Sequence, residues 1–156
     1  CYVTKTCRGG LAEEFFDKKI ERMIPGNKLM KGNWVKHPLG HARVLEMHGD
    51  IVRLESSCQW VAYSEIKPII LTTNILEKKC KFETAATNEC PYGTHFILGG
   101  KGTNIDGLFL YIDVYSGHCR LGQLSHFSHG FGKIKALHEL QNLYQILSGT
   151  ELDVQF

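Results

Sequence analysis

The chain has 156 residues, of which 43% are hydrophobic and 22% are charged, a composition typical of one globular domain, here residues 1–156. Its net charge of +2 comes from 18 basic and 16 acidic residues that are mixed along the chain, so the sequence lacks the concentrated basic face of nucleic-acid binding proteins. No stretch reaches the roughly 20 consecutive apolar residues that a membrane-spanning helix needs, and we therefore predict neither a nucleic-acid partner nor a membrane partner.

The first predicted element is an amphipathic helix over residues 11–24. Its apolar residues recur at spacings of three and four, which places them on one face of a helix. Pro25-Gly26 follows and ends the helix, because proline removes a backbone donor and glycine turns freely. A second amphipathic helix is predicted over residues 133–147, where Ser148-Gly149 provides the stop.

Between these helices, short apolar runs separated by turn residues predict a series of β-strands. Residues 43–48 and 51–55 flank Gly49-Asp50, a sequence typical of a tight hairpin. Short strands at regular spacing are typical of a sandwich or an up-and-down barrel. Further strands are predicted over residues 59–63, 66–73, 78–84, 94–98, 108–115 and 119–127.

Six cysteines are the most informative feature of the composition. Their even number and wide spacing predict three disulfide bonds of undetermined pairing. Disulfides persist in oxidising compartments, so we expect a secreted, extracellular protein. The chain begins on a cysteine without an apolar leader, which is typical of a mature form whose signal peptide has been removed. Six buried free thiols in a cytosolic protein are the alternative. The cysteines are Cys1, Cys7, Cys58, Cys80, Cys90 and Cys119.

Two histidine pairs have spacings found among zinc ligands, His37 with His41 and His126 with His129. Pro38 and a glycine lie inside the first pair, and serine and glycine surround the second, so neither pair has the helical frame that would aim both rings at one ion. We interpret all four as loop histidines and predict no metal site.

Two features of the sequence are candidates for an enzymatic site. Residues 99–103, GGKGT, lack the lysine-serine or lysine-threonine end of a phosphate-binding loop, so they predict a hairpin loop and no nucleotide cofactor. A secreted ribonuclease needs a general base, a general acid and a cation around one phosphate. The residue types are present, but no spacing connects them, and we predict a protein that is not an enzyme, with a ribonuclease-like hydrolase as a minor alternative. The residues concerned are Lys101, His95, His118 and His126.

Large aromatic side chains fall inside or beside the predicted strands, where they line a ligand cavity or pack into a core. In the strand over residues 108–115, alternation places Phe109 and Tyr111 on one face and Leu110 and Ile112 on the other. We expect the aromatic face to meet a cavity or solvent. The predicted ligand-binding residues are Trp60, Tyr63, Phe96, Phe109 and Tyr111.

Gly32-Asn33-Trp34, after the predicted first helix, resembles the Gly-x-Trp signature that opens the first strand of lipocalins. The string of short strands followed by one helix is similar to the plan of that family. The resemblance implies an up-and-down barrel whose mouth accepts a small hydrophobic ligand. It also implies a structural role for Trp34 at the closed end of the barrel.

The sequence therefore predicts a mainly antiparallel β-fold with an N-terminal and a C-terminal helix. A lipocalin-like up-and-down barrel is the first interpretation, and an α+β sandwich with an antiparallel sheet is the second. For function, the first interpretation is a secreted protein that binds a small hydrophobic ligand without a cofactor. The second is a secreted effector or inhibitor that acts by protein–protein contact. An enclosed cavity favours the first function, and an exposed apolar patch favours the second.

Overall fold

A computed structural model describes residue 24 and residues 26–55, 59–85, 95–98, 108–114, 116–123 and 126–156. In these parts of the chain, nine strands form two antiparallel sheets and one α-helix follows them. The predicted helix over residues 11–24, apart from its last position, and the predicted loop over residues 99–103 lie outside the described residues.

The first sheet comes from the N-terminal half of the chain. Its strands are β1 (Trp34–His37), β2 (Gly40–His48), β3 (Ile51–Leu54) and β4 (Trp60–Ala62). They pair in the order β1-β2-β3-β4. The predicted hairpin at Gly49-Asp50 is confirmed, since His48 pairs with Ile51 and Gly49 takes a φ of 57°, a left-handed conformation that glycine adopts without strain.

One face of the first sheet is apolar because buried residues alternate along its strands. Val52 and Leu54 on β3 are fully buried, whereas Arg53 between them faces the other side. The first core contains Ile24, Leu29, Val35, Ala42, Val44, Val52, Leu54, Val61 and Ile66. The opposite face of this sheet, which we call the outer face, carries charged and aromatic side chains.

The second sheet comes from the C-terminal half. Its strands are β5 (Glu83–Ala85), β6 (His95–Leu98), β7 (Phe109–Asp113), β8 (His118–Gln123) and β9 (His126–Lys133). They pair in the order β5-β6-β7-β8-β9. The predicted strand over residues 108–115 is confirmed as β7 in a shorter form. Leu110 and Ile112 are fully buried as predicted, but Tyr111 is only 5% exposed, so it does not face solvent.

The helix α1 (Leu137–Ser148) begins later than the predicted residue 133, because β9 continues to Lys133. The Glu139 carboxylate accepts hydrogen bonds from the backbone amides of Lys135 and Ala136, at 3.0 and 3.3 Å, and this fixes the first turn. At the other end Gly149 takes a left-handed conformation, as a helix C-cap requires. The helix covers the second core, which contains Ile69, Leu71, Leu76, Cys80, Phe82, Leu110, Ile112, Cys119, Leu121, Ile134, Leu137, Leu140, Tyr144, Leu152 and Val154.

The barrel prediction is wrong, because the strands form two separate sheets that are not closed into a barrel. The alternative, a sandwich with one antiparallel sheet, differs from the structure in the number of sheets and of cores. The reason lies in the segment between β4 and β5. Residues 66–73, predicted as a strand, make only isolated bridges, at Lys67 with Lys36 and at Ile70 with Ala136. A π-helical turn over Ile75–Lys79 follows them, so no strand in this segment connects the sheets.

Trp34 does not lie at the closed end of a barrel. It opens β1 at an edge of the first sheet, where it is half-buried and packs against the second core. Trp34 therefore belongs to the junction between the two halves of the described chain.

Candidate interaction surface

The outer face of the first sheet carries a row of three side chains across β2, β3 and β4. A β-bulge between Val44 and Glu46 shifts the register of β2 so that Glu46 lies opposite Arg53. Arg53 in turn lies opposite Trp60 on β4. Side chains of directly opposed residues project from the same face of a sheet, so the three groups are neighbours.

Glu46 and Arg53 form an ion pair through Oε1 and Nη2. Both side chains are well exposed, at 50% and 37%, so the pair contributes little to stability. The ion pair instead affects its neighbours, because it holds the guanidinium of Arg53 beside Trp60 and neutralises the carboxylate of Glu46.

A groove of about 510 Å³ lies beside this row and is open to solvent. Two large apolar side chains at the groove, Trp60 and Met47, are 45% and 39% exposed, and Ile51 at the neighbouring hairpin end is 37% exposed. The groove is lined by Lys31, Leu45, Glu46, Met47, His48 and Trp60. We call it the Trp60 groove.

The structure divides the predicted ligand-binding residues between the two sheets. Trp60 lies in β4, and Tyr63 begins a 3-10 turn after it, half-buried against the first core. Phe96 lies in β6, and Phe109 and Tyr111 lie in β7 of the second sheet. The side chains of Phe96 and Phe109 are outside the described part. Of the predicted residues whose side chains are described, Trp60 alone lines the Trp60 groove.

The other groove residues were not predicted from the sequence. The sequence feature closest to them is the hairpin at Gly49-Asp50. Its register, together with the bulge in β2, places Glu46 opposite Arg53. The bulge itself leaves no mark in the apolar pattern, so the outward direction of Glu46 does not follow from alternation alone.

Tyr111 lies deep in the second sheet. Burial raises the pKa of its phenol above the ordinary value. It is a neutral, packed side chain.

Two of the predicted disulfide cysteines, Cys80 and Cys119, are buried free thiols in the second core. Burial raises the pKa of each thiol to about 12, and for Cys80 the charge of Asp153 raises it further. Thiols with such pKa values are poor nucleophiles at neutral pH. Disulfide bonding stays a prediction for the four cysteines that lie outside the described residues: Cys1, Cys7, Cys58 and Cys90.

The histidines considered for metal binding or catalysis lie on strands. His37 and His41 lie on β1 and β2, and His126 and His129 lie on β9. Among the described residues, no three histidine, cysteine or acidic side chains come together in a way that holds a metal ion.

The ribonuclease-like set is spread over the second sheet. His95 opens β6 and is opposite Asp113 at the end of β7, and His118 opens β8. His126 pairs with Gln123 at the far end of β8, so it lies at the opposite end of the sheet from His118. Lys101 is outside the described residues.

No helix in the described part of the chain is long and apolar enough to cross a membrane. No family model matches the chain, and no curated protein or solved structure is similar to it.

Proposed function

We propose that this chain is a secreted, non-enzymatic protein that acts by binding a partner protein through the Trp60 groove. The observation that carries the proposal is the position of Trp60, an aromatic side chain left 45% exposed on a strand beside an open groove. Burying such a ring stabilises a protein, so leaving it in water contributes nothing to the isolated chain. Tryptophan is also among the residues that supply most of the energy in protein interfaces.

The chemistry of the groove limits the kind of partner. Its apolar part is formed by Trp60, Met47 and Leu45, which accept a large apolar side chain. The two charged residues that line it differ in their pairing. Glu46 is paired with Arg53, whereas Lys31 forms no ion pair within the described residues. The partner we propose therefore presents a large apolar side chain next to an aspartate or glutamate.

The alternative function, binding of a small hydrophobic ligand, has less support. Such a ligand needs a site that buries most of its surface. The Trp60 groove is open, and the aromatic residues predicted to line one cavity are divided between two sheets. Secretion rests on the six cysteines and is part of the same proposal.

Native mass spectrometry of the protein from its natural source separates the two functions. For a protein that acts by surface contact, we expect the mass of the chain alone, equal to the mass found after denaturation. A reproducible additional mass that leaves on denaturation and is identified as a hydrophobic small molecule would contradict the proposal and identify the chain as a carrier of such a ligand.

A further inference from the structure

A group of cations lies at the β1 edge of the first sheet, far along the outer face from Trp60. Lys36 on β1 is directly opposite His41 on β2, so both side chains project from the same face. Lys36 is also opposite Lys67, with which it exchanges two backbone hydrogen bonds of 2.9 and 2.8 Å.

Phe156 contacts both His41 and a further cationic side chain, that of Lys79. Its ring stacks on the His41 ring with 4.3 Å between the centroids. The ammonium of Lys79 lies over the Phe156 ring, 5.4 Å from its centroid. Lys36 therefore neighbours His41 on the sheet, and Lys79 contacts the ring that stacks on His41. We call the surface formed by Lys36, His41 and Lys79 the cationic site.

Two carboxylates of the C-terminal segment are already paired. Glu151 is paired with Arg43, and Asp153 is paired with Lys81. Neither Lys36 nor Lys79 takes part in an ion pair with any described carboxylate. Partial burial lowers the pKa of His41, and the charges of Lys36 and Lys79 lower it further, so both lysines act on the His41 ring.

We propose that the cationic site binds a tetrahedral oxyanion, the phosphate or sulfate group of an ester, between Lys36, His41 and Lys79. Either group has enough oxygen atoms to accept a hydrogen bond from each of the three side chains. It also offsets the repulsion that Lys36 and Lys79 exert on a protonated His41 ring. The Phe156 ring, which is 37% exposed, offers an apolar surface to the organic part of the ester.

Binding is coupled to the protonation of His41. In the free protein the nearby lysines favour the neutral ring, whereas a bound anion favours the imidazolium, so the anion raises the pKa of His41. For sulfate, whose charge does not change over this range, affinity therefore rises as the pH falls through the titration range of His41. The other charged groups of this region include Lys67, the Arg43–Glu151 pair and the Lys81–Asp153 pair.

The test is an NMR titration of the His41 ring with inorganic phosphate and with inorganic sulfate, at constant ionic strength set by chloride. We expect saturable shifts, a higher His41 pKa in the bound state, and affinity about fivefold weaker in Lys36→Ala and in Lys79→Ala. Lys133→Ala removes an exposed cation of β9 and is the matched control, with unchanged affinity. Shifts that do not saturate, or that are the same in all variants, would overturn the proposal.

The source of the ester group is identified by two further probes, glycerol 3-phosphate and phosphatidylcholine vesicles that contain phosphatidic acid. Stronger binding of glycerol 3-phosphate than of the vesicles, weakened by Lys36→Ala, indicates a free ester, and stronger binding of the vesicles, weakened in the same way, indicates a lipid headgroup. Binding of neither probe would overturn the proposal. Circular dichroism of each variant verifies that the fold is intact.

Discussion

The ring of Phe156 stacks on the ring of His41, with 4.3 Å between the centroids, and its centroid is 4.9 Å from that of Trp34. This contact is the last of several that fasten residues 150–156 to both halves of the chain. Leu152 and Val154 are buried in the second core, and Glu151 is paired with Arg43 of the first sheet. We call residues 150–156 the clasp, because their contacts connect the two sheets.

The clasp predicts a measurable loss of stability in Phe156→Ala. The variant loses the contacts with His41 and Trp34, and we expect the free energy of unfolding to fall by about 1–2 kcal/mol, less than for a fully buried phenylalanine. Urea denaturation measures the change. Ile146→Ala, at a position 75% exposed on α1, is the control and should change stability by no more than about 0.5 kcal/mol. Equal effects of the two substitutions would contradict the clasp.

Gln141 connects α1 to the first sheet. Its Oε1 accepts a hydrogen bond from the backbone amide of Trp34 at 2.8 Å, and its Nε2 donates one to the carbonyl of Gly32 at 3.3 Å. Because Gln141 is only 6% exposed, Gln141→Ala leaves partly buried backbone groups without partners. We expect a loss of about 2 kcal/mol in urea denaturation. Gln145→Ala on the same helix is the control, and a loss as large in that variant would argue against a specific role for Gln141.

His138 predicts how stability depends on pH. Its side chain is 3% exposed, its Nδ1 has no hydrogen-bond partner, and burial lowers its pKa below the ordinary value of 6.5. The nearby Glu139 opposes this shift and Lys28 adds to it. The unfolded chain therefore binds the proton more readily than the folded one, so stability is greatest above pH 6.5 and falls as the pH drops below it.

Replacement of His138 by glutamine removes this titration. We expect the melting temperature of the wild type to fall more steeply between pH 7 and pH 5.5 than that of His138→Gln. His48→Gln, which changes an exposed histidine, is the control and should keep the wild-type slope. Parallel pH profiles for the wild type and His138→Gln would show that His138 does not set the dependence.

Cys80 and Cys119 give a chemical prediction. Because both thiols are buried and their pKa values are raised to about 12, we expect no alkylation by iodoacetamide in the native protein at pH 8. After denaturation without reductant, both should be alkylated, and peptide mass mapping locates the label. Lack of label at both positions in the denatured protein would show that they are disulfide-bonded instead.

Local patterns in the sequence predicted the elements that depend on neighbouring residues. The hairpin at Gly49-Asp50, the core strand β7 and most of α1 follow from turn chemistry and apolar periodicity. Turn residues and apolar periodicity involve residues within about ten positions of one another, and packing against the rest of the chain changed these elements little.

The pairing of strands and the position of the candidate site did not follow from such patterns. Residues 66–73 have the composition of a strand, but their backbone bonds go to Lys36 and to the residues before α1. The contact between Gln141 and Trp34 joins residues 107 positions apart, and no local signal encodes it. The Trp60 groove depends on a bulge in β2 and on the order of the sheet, both of which are set by three-dimensional packing.

The central claim, that the Trp60 groove binds a partner protein, is tested most directly by panning a random peptide library displayed on phage. The claim predicts enriched peptides in which an aromatic or large aliphatic residue lies next to an aspartate or glutamate. We expect these peptides to bind Trp60→Ala at least about tenfold more weakly than the wild type, since tryptophan side chains at interfaces contribute 2 kcal/mol or more. Leu39→Ala, at a position 85% exposed in the turn between β1 and β2, should bind them as the wild type does. Absence of enriched peptides, or equal affinity for Trp60→Ala, would contradict the claim.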